Sequence, residues 1–595
     1  MAIYKISTIR NKWRVSFLTE CDKYLKSMFR KSVMTRSHEL MTAVEDGNIT
    51  EVELALKRGI YVNKKYLEKK WTLLHAAAKY GQMSILMLLL EEGADIEAKS
   101  LERKTPLHYA TKHGHHSAVM FLLSKGADIQ TRTSEEYTPL HYAAQYGNSS
   151  IVHVFLRRGA IIEAKTKKGK TPMHFASENG HSDIVKLLMK YGADFELKSS
   201  FNSPMHLAAE YGHINVIKIL LENGADINML NALKYTPLCV AVNKSQRRIV
   251  KFLLDQGADC SIANGFKDTP LHLAVRNDNE DIARLLIKKG AAIQPKNEDN
   301  WSPLLIAAQC GYVSIVELLL EVGANVNDVD DNINTSLHIA AESGNEDVAE
   351  ILLSKGADVN AVNINSWTPL FYASYCHQKI VKLLLDSGAD FHITDKFKNS
   401  PLHVATSLAN IPIMKLLINV GADLETRNED GSNVIDLALK LRDKTIIKNL
   451  IKYSLYKDIN KIKPNSLGSL ENSKFWDSCK SELEEMKYHM IADSTVSYYK
   501  FLRESEKNKL AAYFCNENIV LELEELQYKN KYPIYGIIIS MKMLQGNYRK
   551  RMLMKADEIL QQLKPKLPIV LRTKILEHLS DNDLKKFYTE RPLDK

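Results

Sequence analysis

The residues of this 595-residue chain most able to do chemistry are its nineteen histidines. Eight of them, His75, His108, His141, His174, His206, His272, His338 and His403, stand among the same neighbours, in Thr-Pro-Leu-His or a near variant. An imidazole titrates near neutral pH, so such a set could supply general bases or metal ligands. Either task requires groups that converge, and these stand one repeat apart, so that none can share a ligand or a proton with the next. The one dense group, His113, His115 and His116, comes without a Cys or a convergent carboxylate and reads as a polar turn. Seven cysteines, Cys21, Cys239, Cys260, Cys310, Cys376, Cys479 and Cys515, are odd in number and scattered, with no Cys-x-x-Cys spacing. That usage fits a reduced setting and neither a disulfide framework nor a zinc site. No phosphate loop, nucleophile elbow or paired-carboxylate motif stands out. The expectation is a protein that is not an enzyme and needs no metal or cofactor.

The elements that carry the histidines repeat. The residue three before each histidine, or its equivalent, is Thr72, Thr105, Thr138, Thr171, Ser203, Thr236, Thr269, Ser302, Thr335, Thr368 and Ser400, in steps of 33 residues with two of 32. A second marker, Gly-Ala, keeps the same register from Gly93 to Gly421. The Thr or Ser hydroxyl can cap a helix, and Pro suits the first helical position because its missing N–H would have no intrahelical partner there. Each site therefore starts a helix. In the copy from Thr72 to Asp95, a short Ala-rich helix reaches Gly81, and the apolar run Ser84 to Leu90 forms a second helix ended by Gly93. The turn-rich stretch from each Gly-Ala to the next Thr projects as a finger. His38 to Gly47 and Asn433 to Ala438 keep the register but lose Thr-Pro, as terminal repeats that need a more polar face should.

Two helices, a finger, Thr-Pro-Leu-His and Gly-Ala-Asp together resemble the ankyrin repeat over about two-thirds of the chain. The resemblance implies an all-α solenoid in which the histidine bonds backbone across repeats, and in which fingers and first helices form a concave binding surface. In that pattern the residue before the Thr points into the surface, and here it is Trp71, Tyr137, Tyr235, Trp301 and Trp367. A second slot, before the inter-helix Gly, holds Tyr80, Tyr146 and Tyr211. Aromatic rings dominate interface hot spots, so these eight are candidate anchors for a target protein or extended peptide; packing of the rings on neighbouring fingers is the competing reading. Arg103, Lys104, Lys165, Lys167, Lys168 and Lys170 make early fingers basic, and Asp328, Asp330 and Asp331 make a later one acidic, which suits a partner with segregated charge.

Composition sets the limits around this reading. A chain with 45% apolar and 25% charged residues is too long for one compact core. The net charge of +9 is a small excess of 80 basic over 71 acidic residues, so nucleic acid is not an expected partner. The basic stretch 1–36 lacks the apolar core of a secretory signal, and Glu20 and Asp22 count against a transit peptide. No segment approaches the ~20 apolar residues of a membrane span. A cytoplasmic or nucleocytoplasmic monomer is the expectation.

The repeats run over 37–453, residues 454–470 turn to Pro, Gly and Ser as a linker, and 471–595 show helical patterns. Within the last segment Leu571, Ile575 and Leu579 fall four apart with Leu576 beside them, an apolar stripe to be buried in its own domain or in a partner's groove. Leu567-Pro568, Leu571, Ile575-Leu576, Leu579 and Asp583-Leu584 look like the first half of an F-box, the module that docks on the Skp adaptor of cullin-RING ubiquitin ligases. Ankyrin repeats followed by such a C-terminus resemble the PRANC family of poxviruses, some intracellular bacteria and parasitoid wasps. Two features depart from the F-box pattern: Val570 stands where an acidic residue is frequent, and Lys595 comes before a complete module could finish. The resemblance implies an adaptor whose repeats hold a target and whose residues Leu567, Pro568, Leu571, Ile575, Leu576, Leu579 and Leu584 recruit the Skp adaptor. The alternative is a sequestering scaffold with no ligase link, and anchoring through the basic N-terminus is a third.

Overall fold

The structure is a computed structural model that describes residues 39–66, 69–199, 201–457 and 470–488, together with Ser497 and Lys500. Residues 1–36 and the stripe Leu567 to Leu584 lie outside the described residues. Every regular element among the described residues is a helix, and isolated bridges pair Tyr66 with Trp71 and Val329 with Thr335. The chain divides into two compact units between Asn325 and Val326.

In the first unit, helices 39–45 and Ile49–Lys57 form a leading cap, followed by eight helix pairs from Leu73–Tyr80 with Met83–Glu91 to Pro303–Cys310 with Val313–Glu321. First helices pack on first helices of the neighbouring repeats, and second helices on second helices. Each first helix is short because its ends are fixed chemically. Thr105, extended at φ −93° and ψ 166°, caps Pro106–Lys112 in a capping box with His108, with Pro at the first turn. At the far end of Leu73–Tyr80, Gly81 takes a left-handed φ of 69° and lets the chain reverse into the second helix.

The core lies between the helix layers. Ala76, Ala77, Leu86 and Leu89 have no exposed surface, and the same slots recur as Ala143 with Val152 and Phe155, and Ala274 with Leu286. Alanine on the facing first helices permits close approach, and the large apolar residues of the second helices fill the remaining space; each buried Leu or Ile stabilises by about 1.5–3 kcal/mol.

The second unit repeats the plan in Ser336–Ser343 with Glu346–Ser354, Pro369–Ala373 with Gln378–Asp386, and Pro401–Ser407 with Ile411–Asn419. Its final pair is Val434–Leu441 and Lys444–Lys457, and the helix Leu470–Tyr488 packs on the latter. Trp476, Cys479, Leu483 and Met486 are buried there, and Glu471 pairs with Lys444 and Lys448 at 2.9 and 2.8 Å. At this last pair the histidine is replaced by Asp436, whose carboxylate accepts the Asn433 N–H at 3.2 Å. A carboxylate has no proton to donate onward.

Candidate protein-binding surface

Three polar ladders hold the surface-forming elements in register, and each spans neighbouring repeats. The first is built by the motif histidines. His108 Nδ1 accepts the Thr105 backbone N–H at 3.1 Å, which requires that nitrogen to be unprotonated, and Nε2–H therefore donates to the Tyr137 carbonyl at 3.2 Å. The same reach joins His75 to Lys104, His141 to Lys170, His206 to Tyr235, His272 to Trp301, His338 to Trp367 and His403 to Ser432, at 2.8–3.3 Å. Burial holds His75, His141, His174, His206 and His338 down to about 4 and His108 to about 3, so these rings stay neutral. His174 is the exception in bonding: the next finger is one residue shorter, and its Nε2 meets no partner among the described residues.

Sequence reasoning missed the second ladder. The residue after the inter-helix Gly reaches back to a carbonyl near the end of the previous first helix: Gln82 to Glu45, His115 to Lys79, Asn148 to Thr111, His181 to Gln145 and His213 to Glu178, and His377, which follows Cys376 at the same position, reaches Glu342, all at 2.7–3.1 Å. His115, read as part of a polar turn, thus ties two repeats. The glycine between the helices is needed twice over, since at Gly180 φ is 75° and a Cβ would lie 2.5 Å from the His213 ring. A polar residue recurring at this position was the available signal.

The third ladder runs through the fingers. Asn297 donates to Asp268 at 3.0 Å, and Asn363 to Asn334 at 2.8 Å. Asp330 occupies the same pivot: it is buried, and its carboxylate accepts from the backbone of Asn332 and Asn334 at 2.9 and 2.8 Å. The expectation that Asp330 adds surface charge is therefore corrected, while Asp331 is exposed.

On this frame the aromatic slots differ. Trp71 is buried and donates its indole N–H to the Tyr109 hydroxyl at 2.9 Å. Tyr137 is half-buried against Tyr142 and Phe175, with ring centroids 5.4 and 5.2 Å away, and Trp367 meets Tyr372 edge-on at 5.2 Å. Tyr235 and Trp301 are also half-buried. Tyr80 donates its hydroxyl to Glu45 at 2.6 Å, and burial with that carboxylate raises it to about 12. Tyr146 and Tyr211 are 45% and 50% exposed. The supporting rings Tyr109, Tyr142, Phe175 and Tyr372 were overlooked, although each stands at the fourth position after a capping Thr.

Amines lie over these rings: Lys79 over Trp71 and Tyr80, Lys104 over Tyr109 and Tyr142, Lys112 over Tyr146 and Lys170 over Phe175, at 4.2–5.9 Å from the centroids. Glu135, Tyr137, Thr166, Lys168 and Lys170 of two fingers face Gln145, Phe175, Glu178 and Asn179 of two first helices across one pocket. Carboxylates temper the basic character, since Lys104 pairs with Glu102, Lys167 with Glu135 at 3.5 Å and Lys170 with Glu178 at 2.6 Å. Arg103 and Lys165 are exposed on the same fingers. Among the described residues no group of three or more His, Cys, Asp or Glu side chains is placed to hold a metal ion, and no helix is long and apolar enough to cross a membrane.

A surface of rings and amines carried by stacked helix pairs and fingers defines a repeat scaffold for protein contacts. The family model described as ankyrin repeats (3 copies) matches residues 40–133, 130–199, 197–264, 258–330, 324–395 and 387–463, and the chain belongs to the ankyrin-repeat family. Such repeats imply a protein–protein interaction scaffold. Among solved structures, the ankyrin repeat domain of human ASB11 matches at 31% identity with a TM-score of 0.35, over 37% of this chain and 99% of that one. No curated protein matches.

Proposed function

We propose that the chain is an adaptor that holds a target protein on the ring-and-amine surface between Trp71 and Tyr211. The observation that carries this reading is the pocket where fingers and first helices meet, lined by Tyr137, Phe175, Lys168 and Lys170. Half-buried rings there present apolar area without further ordering cost, and the exposed Tyr146 and Tyr211 extend it. In later repeats the slot before the capping hydroxyl stays aromatic, as Tyr235, Trp301 and Trp367.

In the same proposal the C-terminal stripe of Leu571, Ile575, Leu576 and Leu579, preceded by Leu567-Pro568 and followed by Leu584, recruits the Skp adaptor of a cullin-RING ligase, as in the PRANC pattern that the sequence resembles. Proximity then delivers the target to the ligase. The second reading, a sequestering scaffold, is supported by the way Leu470–Tyr488 packs back on Lys444–Lys457.

A pull-down of purified Skp adaptor with the full chain separates the two. Capture by the wild type and not by a Leu571→Ala/Ile575→Ala variant, with equal circular dichroism, supports the ligase adaptor. Absence of capture by either chain makes the protein a scaffold.

A further inference from the structure

In several fingers one residue offers its carbonyl to the backbone N–H of the next finger. Lys69 receives Leu101, Glu102 receives Ser134 and Glu135 receives Lys167 at 2.9–3.2 Å, and in later repeats Phe201 receives Ala232, Leu233 receives Gly265 and Phe266 receives Glu298 at 3.0–3.1 Å. Backbone groups alone make these bonds, so stacking sets no requirement on the side chain. The charged residues Lys69, Glu102 and Glu135 show that the position tolerates full solvation.

At Phe201, Leu233 and Phe266 the position turns apolar in three consecutive repeats, and these side chains are 60%, 51% and 56% exposed. Adjacent fingers are in direct hydrogen-bond contact at all three, which makes the exposed side chains neighbours on one edge. An apolar strip that the fold does not need marks a contact surface, and two of its three members are aromatic. Lys234 and Lys267 follow Leu233 and Phe266 directly, both exposed and both held in the left-handed region at φ 59° and 58°. No carboxylate stands among tip residues 201–202, 232–234 and 265–267; Asp268 behind them is buried and accepts from Asn297, and exposed acidic side chains begin on the following finger with Glu298 and Asp299. The tips from Phe201 to Lys267 are thus apolar and cationic, and the charge reverses at the next finger.

We propose that Phe201, Leu233 and Phe266, with Lys234 and Lys267, form a second docking strip, separate from the aromatic surface, for a protein segment in which apolar side chains are interleaved with carboxylates. Such a segment places its apolar groups on the strip and its charges against the two ammonium groups, and a basic counterpart is rejected by like charge.

The test titrates the full-length chain into a short fluorescein-labelled peptide of alternating Leu and Glu, with alternating Leu and Lys as the control, and reads fluorescence anisotropy. The expected result is binding of the acidic peptide alone, weakened roughly tenfold or more by Phe201→Ser with Phe266→Ser and by Lys234→Glu with Lys267→Glu, and unchanged by Tyr137→Ala. Because the strip side chains are exposed, thermal melting should be the same for all variants except Tyr137→Ala. The proposal is overturned if the acidic peptide does not bind, if both peptides bind alike, or if the strip variants bind as well as the wild type. It is also overturned if sedimentation shows that the serine variant dissolves a dimer, since the strip would then serve a second copy.

Discussion

The imidazole of His108 reaches the Tyr137 carbonyl of the next repeat at 3.2 Å while its other nitrogen accepts the N–H of its own helix cap, Thr105, at 3.1 Å. One neutral side chain thus closes a helix end and fastens the following finger.

His108→Ala would leave the buried Thr105 N–H without a partner and take from the Tyr137 carbonyl one of its two donors, the Thr133 N–H at 3.0 Å remaining, at a cost of about 1–3 kcal/mol. His174→Ala removes a ring whose Nε2 makes no such cross-repeat bond among the described residues, so it should cost less. Urea unfolding followed by circular dichroism measures both, and equal losses would refute the assigned role of the cross-repeat bond.

The pH dependence follows from the same burial. His75, His141, His206 and His338 are lowered to about 4 in the folded chain from an ordinary value of 6.5. Below pH 6.5 the unfolded chain takes up protons that the folded chain refuses, so stability is complete above that pH and is lost as pH falls from 6.5 toward 4. Melting temperatures should decline across this window. A flat profile from pH 7 to pH 5 would contradict the neutral buried rings.

Gly180→Ala and Gly224→Ala impose a side chain on the same left-handed backbone, at φ 75° and 88°, with a strain of about 1–2 kcal/mol. Only the first also drives a Cβ against the His213 ring and so threatens its bond to Glu178, whereas nothing lies within 4 Å at Gly224. Thermal melting should fall more for Gly180→Ala, and equal shifts would show that the close approach carries no energy.

The two aromatic slots should separate in stability measurements. Trp71→Ala empties a buried site and cuts the bond to Tyr109, so a loss of about 3–5 kcal/mol is expected. Tyr211→Ala removes a half-exposed ring and should change stability by less than about 0.5 kcal/mol while weakening capture of the target. Loss of stability in both would mean that the exposed tyrosine serves packing.

The helix pairs were legible in the sequence because Thr-Pro, the inter-helix Gly and Gly-Ala each encode a local backbone need at a fixed interval. What stayed hidden depends on reach across space. Nothing in the chain spacing says that His115 looks backward to Lys79 while His108 looks forward to Tyr137. Asp330 resembled one charge in an acidic run until its place five residues before Thr335 aligned it with the pivots Asn297 and Asn363. Of the proposed anchors, Trp71 proved largely absorbed by packing, since Tyr109 stands where its indole needs an acceptor.

Each histidine tie ends on a backbone carbonyl, and that acceptor is the same whether the residue offering it is Lys104, Tyr137, Lys170, Trp301 or Ser432. The side chain just before each capping hydroxyl is therefore chemically uncoupled from the bond that holds its finger in place. Mutation can rewrite what the surface displays without touching the fastening beneath it, and a repeat can be duplicated or lost in register because the new neighbour brings an identical carbonyl. Recognition can then change at this slot while the tie to the carbonyl is kept, and only a ring packed as deeply as Trp71 makes the two properties share a side chain.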